Sequence, residues 1–456
     1  MKKKILFFLV YDEYERNFVK TGIIKDLKKK FNVSLIFYEN DVSKKKLKNS
    51  LFNFKYSRDQ IYKFNLLNWS ASINNEDKST SFKFQNVGIF LKVHFIYPNE
   101  KKLSTIINFI PRILIKILKL FNYFKYKYLT SNNTLLKRYK RKFPPNSKIK
   151  DAIKKINPDL IVFPTKGNHP ALLDVMRSKK VKSKVFLLCD NWDNPSSKFY
   201  LPPKVEFISV WGKQGKKHAI KCNNFVSKNI EILGTPKYSN FIKNKNIKLK
   251  SHFNFRYFLF LESWVHDGLQ DALSELNDII SKNKDFNGYK IIFRTHPHRR
   301  DPRRFNIKNL KNVIMDPNIK ANYENNIRDN RALTDLNYYP PLLQNSDLIV
   351  CGPTTMLIES AMYYKKTILL ATKGKEYFNH KNCYEKMLHL KEVSKFPLLR
   401  VTKSLTDLDR DIKNLMKVKI NKNIKLKNDN ILEYFLTSKT LSYSKNLKIS
   451  LQKILS

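Results

Sequence analysis

Four segments concentrate residues able to do chemistry, and each follows an apolar run. The first is SDLIVCGPTTMLIESAMYYKKTILL, residues 346–370. Gly352 and Pro353 turn the chain, and Thr354 and Thr355 stand at the start of a helix. Free backbone N–H groups and the helix dipole favour an anion there, and the two hydroxyls add donors. Glu359 lies one turn further in, where its carboxylate can accept both hydroxyls of a ribose. The plainer alternative is an N-cap threonine and a surface glutamate.

The second is KIIFRTHPHRRDPRR, residues 290–304. A buried strand delivers Arg294, His296 and His298 to its carboxyl end. Five of the chain's 16 Arg fall within the 11 residues 294–304, in a sequence that carries 72 Lys. That contrast points to a demand for guanidinium geometry, which suits phosphate. Arg294 and His296, nearest the strand end, are read as functional, Arg303 and Arg304 as a solvated basic turn, and His298 as either. H-x-H spacing alone makes no metal site, and none is expected.

The third is CDNWDNPSSK, residues 189–198. Asp190, Asn191 and Asp193 surround Trp192. Carboxylates there can act as a base or bind sugar hydroxyls, with an indole face for a ring; an Asx turn with a buried Trp is the alternative. The fourth is YDEYERNFVKTG, residues 11–22. Asp12 is a base facing a cleft or a solvated loop carboxylate. Glu13 and Glu15 are read as solvated.

The elements that must position these residues follow from the apolar runs. ILFFLVY, DLIVFPT, KVFLLCD and VEFISVWG in the first half, and RYFLFLES, YKIIFRTHP, DLIVCGPTT and KTILLAT in the second, are continuous apolar stretches. Such runs suit parallel strands covered on both faces. Segments of helical spacing, such as GIIKDLKKKF and DALSELNDIISKN, alternate with them. Strand–helix alternation marks doubly wound α/β sheets. With 456 residues, the chain suits two such domains. The expected boundaries are 1–236 for the first domain, 237–255 for a polar linker, 256–415 for the second domain and 416–456 for a basic helical tail. Residues 317–341 are expected to form a loop with one helical turn. Ligands of such sheets bind beyond the carboxyl ends of the strands, where all four segments lie.

The formal charge of +50 invites a nucleic-acid partner. The excess is nearly all Lys, spread along the chain beside abundant Asn, Ile, Phe and Tyr, as an AT-rich genome gives, so no nucleic acid is expected. The charge still draws the protein to anionic lipid headgroups. In residues 103–124, Asn108, Arg112, Lys116, Lys119 and Asn122 share one arc and the remaining face is apolar. Lys137, Arg138, Lys140, Arg141 and Lys142 follow. This is the pattern of an in-plane interfacial helix with a basic flank, residues 103–142; a core helix with a wet stripe is the alternative. No run of ~18 apolar residues exists, so no transmembrane helix is expected. Cys189, Cys222, Cys351 and Cys383 form no C-x-x-C pair and read as buried thiols of a reducing compartment.

Taken together, the segments RNFVKTGIIKDLKKKFNVSLI, ILGTPKYSNF, IIFRTHPHRR and LLQNSDLIVCGPTTMLIESAMYYKKTILL resemble the GT-B superfamily of glycosyltransferases. Within it they look like the bacterial surface-carbohydrate and CDP-glycerol glycerophosphotransferase-like branch. The resemblance implies two Rossmann-like domains facing each other across a cleft. It implies a metal-independent transferase, without cofactor, that takes a nucleotide-sugar donor as substrate. The second domain would hold the donor through Arg294, His296, Gly352, Thr354, Thr355 and Glu359. The acceptor, a lipid-linked or surface glycan, would lie near the candidate bases Asp12 and Asp190. The expected location is cytoplasmic and peripheral, on the inner face of the cell membrane. A polyol-phosphate transferase, a sugar-nucleotide epimerase of the same fold and a non-catalytic glycan-assembly scaffold are the alternatives. The carboxylate and histidine set of the non-hydrolysing epimerases has no counterpart that can be placed in this sequence.

Overall fold

The apolar runs become buried parallel strands. The computed structural model describes residues 2–39, 52–73, 81, 117, 120, 121, 124, 132–198, 205–265, 267–296, 305–325, 335–376 and 378–456. In the first half, β1 (Lys4–Leu9), β2 (Asn32–Tyr38), β3 (Phe52–Phe54), β4 (Leu160–Thr165), β5 (Lys184–Cys189), β6 (Phe207–Val210) and β7 (Ile230–Ile232) form one sheet. Their order is 3-2-1-4-5-6-7, and every pairing is parallel. In the second half, β8 (Tyr257–Leu261), β9 (Lys290–Arg294), β10 (Val313–Met315), β11 (Leu348–Cys351), β12 (Thr367–Leu370) and β13 (Leu399–Thr402) form the other. It runs 10-9-8-11-12-13, again all parallel. The fold is therefore α/β with two doubly wound sheets, as the strand–helix alternation required.

Burial explains why these residues form these strands. Ile5, Leu6, Phe7 and Phe8 have no exposed surface, because helices cover both faces of the sheet. Each such side chain contributes about 1.5–3 kcal/mol. Helix α1 (Ile23–Lys30) buries Ile23, Ile24 and Leu27 and leaves Lys28, Lys29 and Lys30 exposed. Helix α2 (Leu269–Lys282) does the same in the second half through Leu269, Leu273, Leu276 and Ile280. The short helix α3 (Met356–Met362) follows β11.

Two later helices tie the halves together. In α4 (Lys422–Phe435), Leu432 and Phe435 share a buried cluster with Trp192 and Trp211 of the first half and Leu357 of the second. Gly212 lets this contact form: a Cβ there would stand 2.5 Å from the carbonyl carbon of Phe435. The Thr437 N–H then donates to the Trp211 carbonyl at 2.9 Å. Helix α5 (Tyr443–Leu455) returns to the first half, where Tyr443, Leu447, Leu451 and Ile454 complete its core. Gly234, at φ +77°, passes directly under Thr440, where any side chain would clash.

Several expectations need correction. The stretch read as a polar linker contains Tyr238 and Phe241, both 1% exposed. The stretch read as a loop with one turn holds two helices, Pro317–Glu324 and Tyr339–Gln344. Strands β3, β10 and β13 were not anticipated, being three or four residues long. Of the amphipathic segment 103–142, only residues 117, 120, 121, 124 and 132–142 are among those described. Ile117, Leu120, Phe121 and Phe124 are helical and exposed. No described helix is long and apolar enough to cross a membrane. All four cysteines are buried and free.

Candidate active site between the two sheets

Both strand orders reverse direction beside their first strand, between β1 and β4 and between β8 and β11, and such switch points open crevices at the carboxyl ends. The crevices of the two halves meet. A chamber of about 240 Å³ is lined by Arg16, Lys166 and Asp190 of the first half and by Thr295, His296, Thr354, Thr355 and Glu359 of the second. Lys237 and Tyr238 line it from the connecting segment. A second chamber of about 460 Å³ shares Lys166, Asn191, His296, Thr354 and Thr355 with the first, so the two form one cleft.

Glu359 and Lys237 set the electrostatics of the smaller chamber. Glu359 is 7% exposed and accepts a hydrogen bond from the Tyr238 hydroxyl. Burial pushes its pKa up, against the opposing pull of Lys237, Tyr238, Arg16 and Arg294. Lys237 shows the converse: burial draws its pKa down, while Asp190 and Glu359 counteract. Its Nζ donates to Asn191 Oδ1 at 2.8 Å and stands 4.6 Å from the Trp211 ring centroid. Lys237 is thus steadied by an amide oxygen and an aromatic face, and it feels the charge of a carboxylate in each half without pairing with either.

Asp190 is positioned by its backbone, whose N–H donates to the Thr165 carbonyl at 3.1 Å. Its carboxylate lines the chamber and has no hydrogen-bond or ion-pair partner among the described residues. Across the cleft, Thr295 Oγ1 is buried and has no hydrogen-bond partner among the described residues. The His296 N–H is already spent on Glu262 Oε2 at 2.8 Å, which fixes the turn that presents the imidazole. Thr355 N-caps α3 without a side-chain cap bond, and its hydroxyl is hydrogen-bonded to the Tyr238 hydroxyl at the chamber wall.

Several candidates stand differently from the sequence expectation. The Arg294 guanidinium borders the chamber, but it is only 3% exposed. It donates to Asp316 Oδ2 at 2.7 Å and to the Tyr339 hydroxyl at 3.1 Å. Its fork is engaged by a buried carboxylate. Gly352 is not among the chamber-lining residues. A Cβ there would meet Ser263 Oγ at 2.5 Å and His380 Nε2 at 2.7 Å, so close packing explains the glycine. Trp192 offers no open face, being 3% exposed against His389 and Phe435. Burial would raise the Asp193 pKa, but Lys198, His389 and Ser197 outweigh it and hold the group ionised. Glu13, read as solvated, is buried and paired with Lys166. The backbone of Asp12 begins the helical turn Asp12–Tyr14, and its side chain lies outside the described residues, as do His298, Arg299, Arg300, Arg303 and Arg304.

The sequence reading missed Lys237, Tyr238, Thr295, Arg16 and Lys166. Thr295 stood between two candidate residues, and Arg16, Lys237 and Tyr238 lay within segments that carried the GT-B resemblance without being singled out. No cluster of His, Cys, Asp and Glu able to hold a metal ion occurs among the described residues.

Two sheets in this order, facing each other across a cleft and laced by a C-terminal helix, define the GT-B fold. No protein-family model and no curated protein matches the sequence. Among solved structures, UDP-GlcNAc 2-epimerase from Neisseria meningitidis, bound to UDP-GlcNAc, aligns over 99% of this chain and 100% of its own, with TM-score 0.51 and 10% identity. UDP-GlcNAc 2-epimerase from Methanocaldococcus jannaschii aligns over 98% of this chain and 99% of its own, with TM-score 0.50 and 11% identity. These likenesses are of fold, and the chain has the GT-B fold.

Proposed function

We propose that the chain is a glycosyltransferase that moves a sugar from a nucleotide-sugar donor to a lipid-linked or surface polysaccharide acceptor, in the building of cell-envelope glycan. The observation that carries this reading is the cleft itself. The unpartnered carboxylate of Asp190 on one wall faces Glu359, Thr354 and Thr355 on the other.

The donor's ribose is held by Glu359. Its diphosphate lies at Thr354, Thr355, His296 and Thr295. Asp190 takes the proton of the acceptor hydroxyl as its oxygen bonds to the sugar's anomeric carbon. The bond from that carbon to the diphosphate oxygen breaks, and the oxygen keeps the electron pair. Lys237 and Arg16 line the chamber as fixed positive charge for the departing diphosphate. The exposed apolar residues Ile117, Leu120 and Phe121, with the exposed basic helix Asn132–Lys142, support docking on the anionic inner face of the membrane.

Calorimetry with UDP, CDP and GDP, then product analysis with and without glycan acceptor, tests the reading. A nucleoside diphosphate should bind, and Asp190→Asn should cut transfer by about 10²–10⁴-fold without weakening that binding. Donor conversion with no acceptor present would mark an epimerase instead. Failure of all three diphosphates to bind would overturn the donor site.

A further inference from the structure

The cleft divides its ligands by position. Glu359 and Tyr238 line only the smaller chamber, and Trp264 lines only the larger. Thr354, Thr355 and His296 line both. A donor with its ribose at Glu359 and its diphosphate at the shared wall therefore sends the transferred ring into the larger chamber, beside Trp264, with its anomeric carbon at the boundary, where Asn191 lines both chambers and Asp190 lines the smaller.

Trp264 is unlike the other described indoles. It is 46% exposed, where Trp192 and Trp211 are 3% and 1%. It stands on the segment that leaves β8, with its ring centroid 5.7 Å from that of His296 and the planes at 73°. A half-open indole at a cleft wall presents an apolar ring face to whatever enters the cleft. The walls near it are mixed, with the Lys198–Asp193 pair at 3.3 Å able to bond hydroxyls and Phe378, Met387 and Leu390 apolar. One C–H-lined face and a rim of hydroxyls is the chemistry of a pyranose ring.

We propose that Trp264 is the platform on which the ring of the transferred sugar stacks, so that the site selects a cyclic sugar over an open-chain polyol phosphate. The inference rests on the donor reading above and adds to it the residue that holds the transferred ring and selects for it.

The test compares binding by calorimetry of UDP, UDP-glucose, CDP, CDP-glycerol, GDP and GDP-mannose to the wild type, Trp264→Ala and Trp264→Phe. The wild type should bind a nucleotide hexose more tightly than the matching diphosphate. Trp264→Ala should weaken the hexose by about three- to tenfold and leave the diphosphate unchanged. Trp264→Phe should retain most of the hexose affinity. Equal effects of Trp264→Ala on hexose and diphosphate, no effect on either, or tighter binding of CDP-glycerol than of every hexose would overturn the platform while leaving the donor site intact. No binding of any diphosphate would remove the donor site and the platform with it.

Discussion

Replacing Arg294 with Met separates a structural guanidinium from a ligand-binding one. Asp316 has no exposed surface, and besides Arg294 it accepts from the Tyr338 hydroxyl at 2.8 Å and the Asn318 N–H at 2.9 Å. Methionine fills much of the arginine's apolar volume, so the cavity cost is small. What is lost is the cation, which leaves a buried carboxylate with two neutral donors. Breaking a buried pair from one side costs about 3–5 kcal/mol. The lost contact of the guanidinium with the Tyr339 ring, 4.8 Å away, adds to this; such contacts contribute roughly 0.5–2 kcal/mol. Denaturant unfolding followed by circular dichroism should show a loss of about 3.5–7 kcal/mol, and Arg294→Met with Asp316→Asn should recover at least half of the pair's share. Calorimetry of the folded variant should show nucleotide affinity within about threefold of wild type. A variant within about 1 kcal/mol of wild-type stability that had lost nucleotide affinity by more than tenfold would refute this, and would return Arg294 to the donor's phosphates.

Two further outcomes follow from neighbouring residues. Glu359 holds its proton to higher pH than an ordinary glutamate, and ribose hydroxyls bind the ionised form. Nucleotide affinity should therefore fall as pH drops through a pKa above the usual 4.5; Glu359→Gln should bind more weakly with a flat profile, and an unchanged profile in that variant would exclude Glu359 as the titrating group. Gly352→Ala should cost about 1–3 kcal/mol through its clash with Ser263 and His380, read as a lower unfolding midpoint, with nucleotide affinity per folded molecule unchanged.

The sheets were legible because parallel strands buried on both faces leave continuous apolar runs, as in β1, β4, β8 and β11. Their loops were legible for the same reason: Asp190, Thr354 and Thr355 come soon after strand ends, and the fold gathers strand ends. Lys237 was not legible. It is one lysine among 72, and its significance comes from Asn191, Trp211 and Glu359, which only the tertiary structure brings near. Arg294 was legible only in part. Its contrast with a lysine-rich background did report a need for guanidinium geometry, and the guanidinium is engaged by Asp316, which stands just before a stretch that read as irregular. Short strands such as β3 and β10 carry too few residues for periodicity to register.

The return of α5 to the first half has a consequence for biosynthesis. Tyr443, Leu447, Leu451 and Ile454 complete a core whose last strand, β7, ends at Ile232. Roughly two hundred residues must be translated between them, which takes about 10–40 s at 5–20 residues per second. During that interval the first half lacks one wall and exposes apolar surface, while the strands of the second sheet, 257–402, are synthesised and become free to pair. The half that begins the chain is thus the later of the two to be finished, and a ribosome that stalls beyond the second sheet leaves a nascent chain whose first domain is a natural client for chaperones.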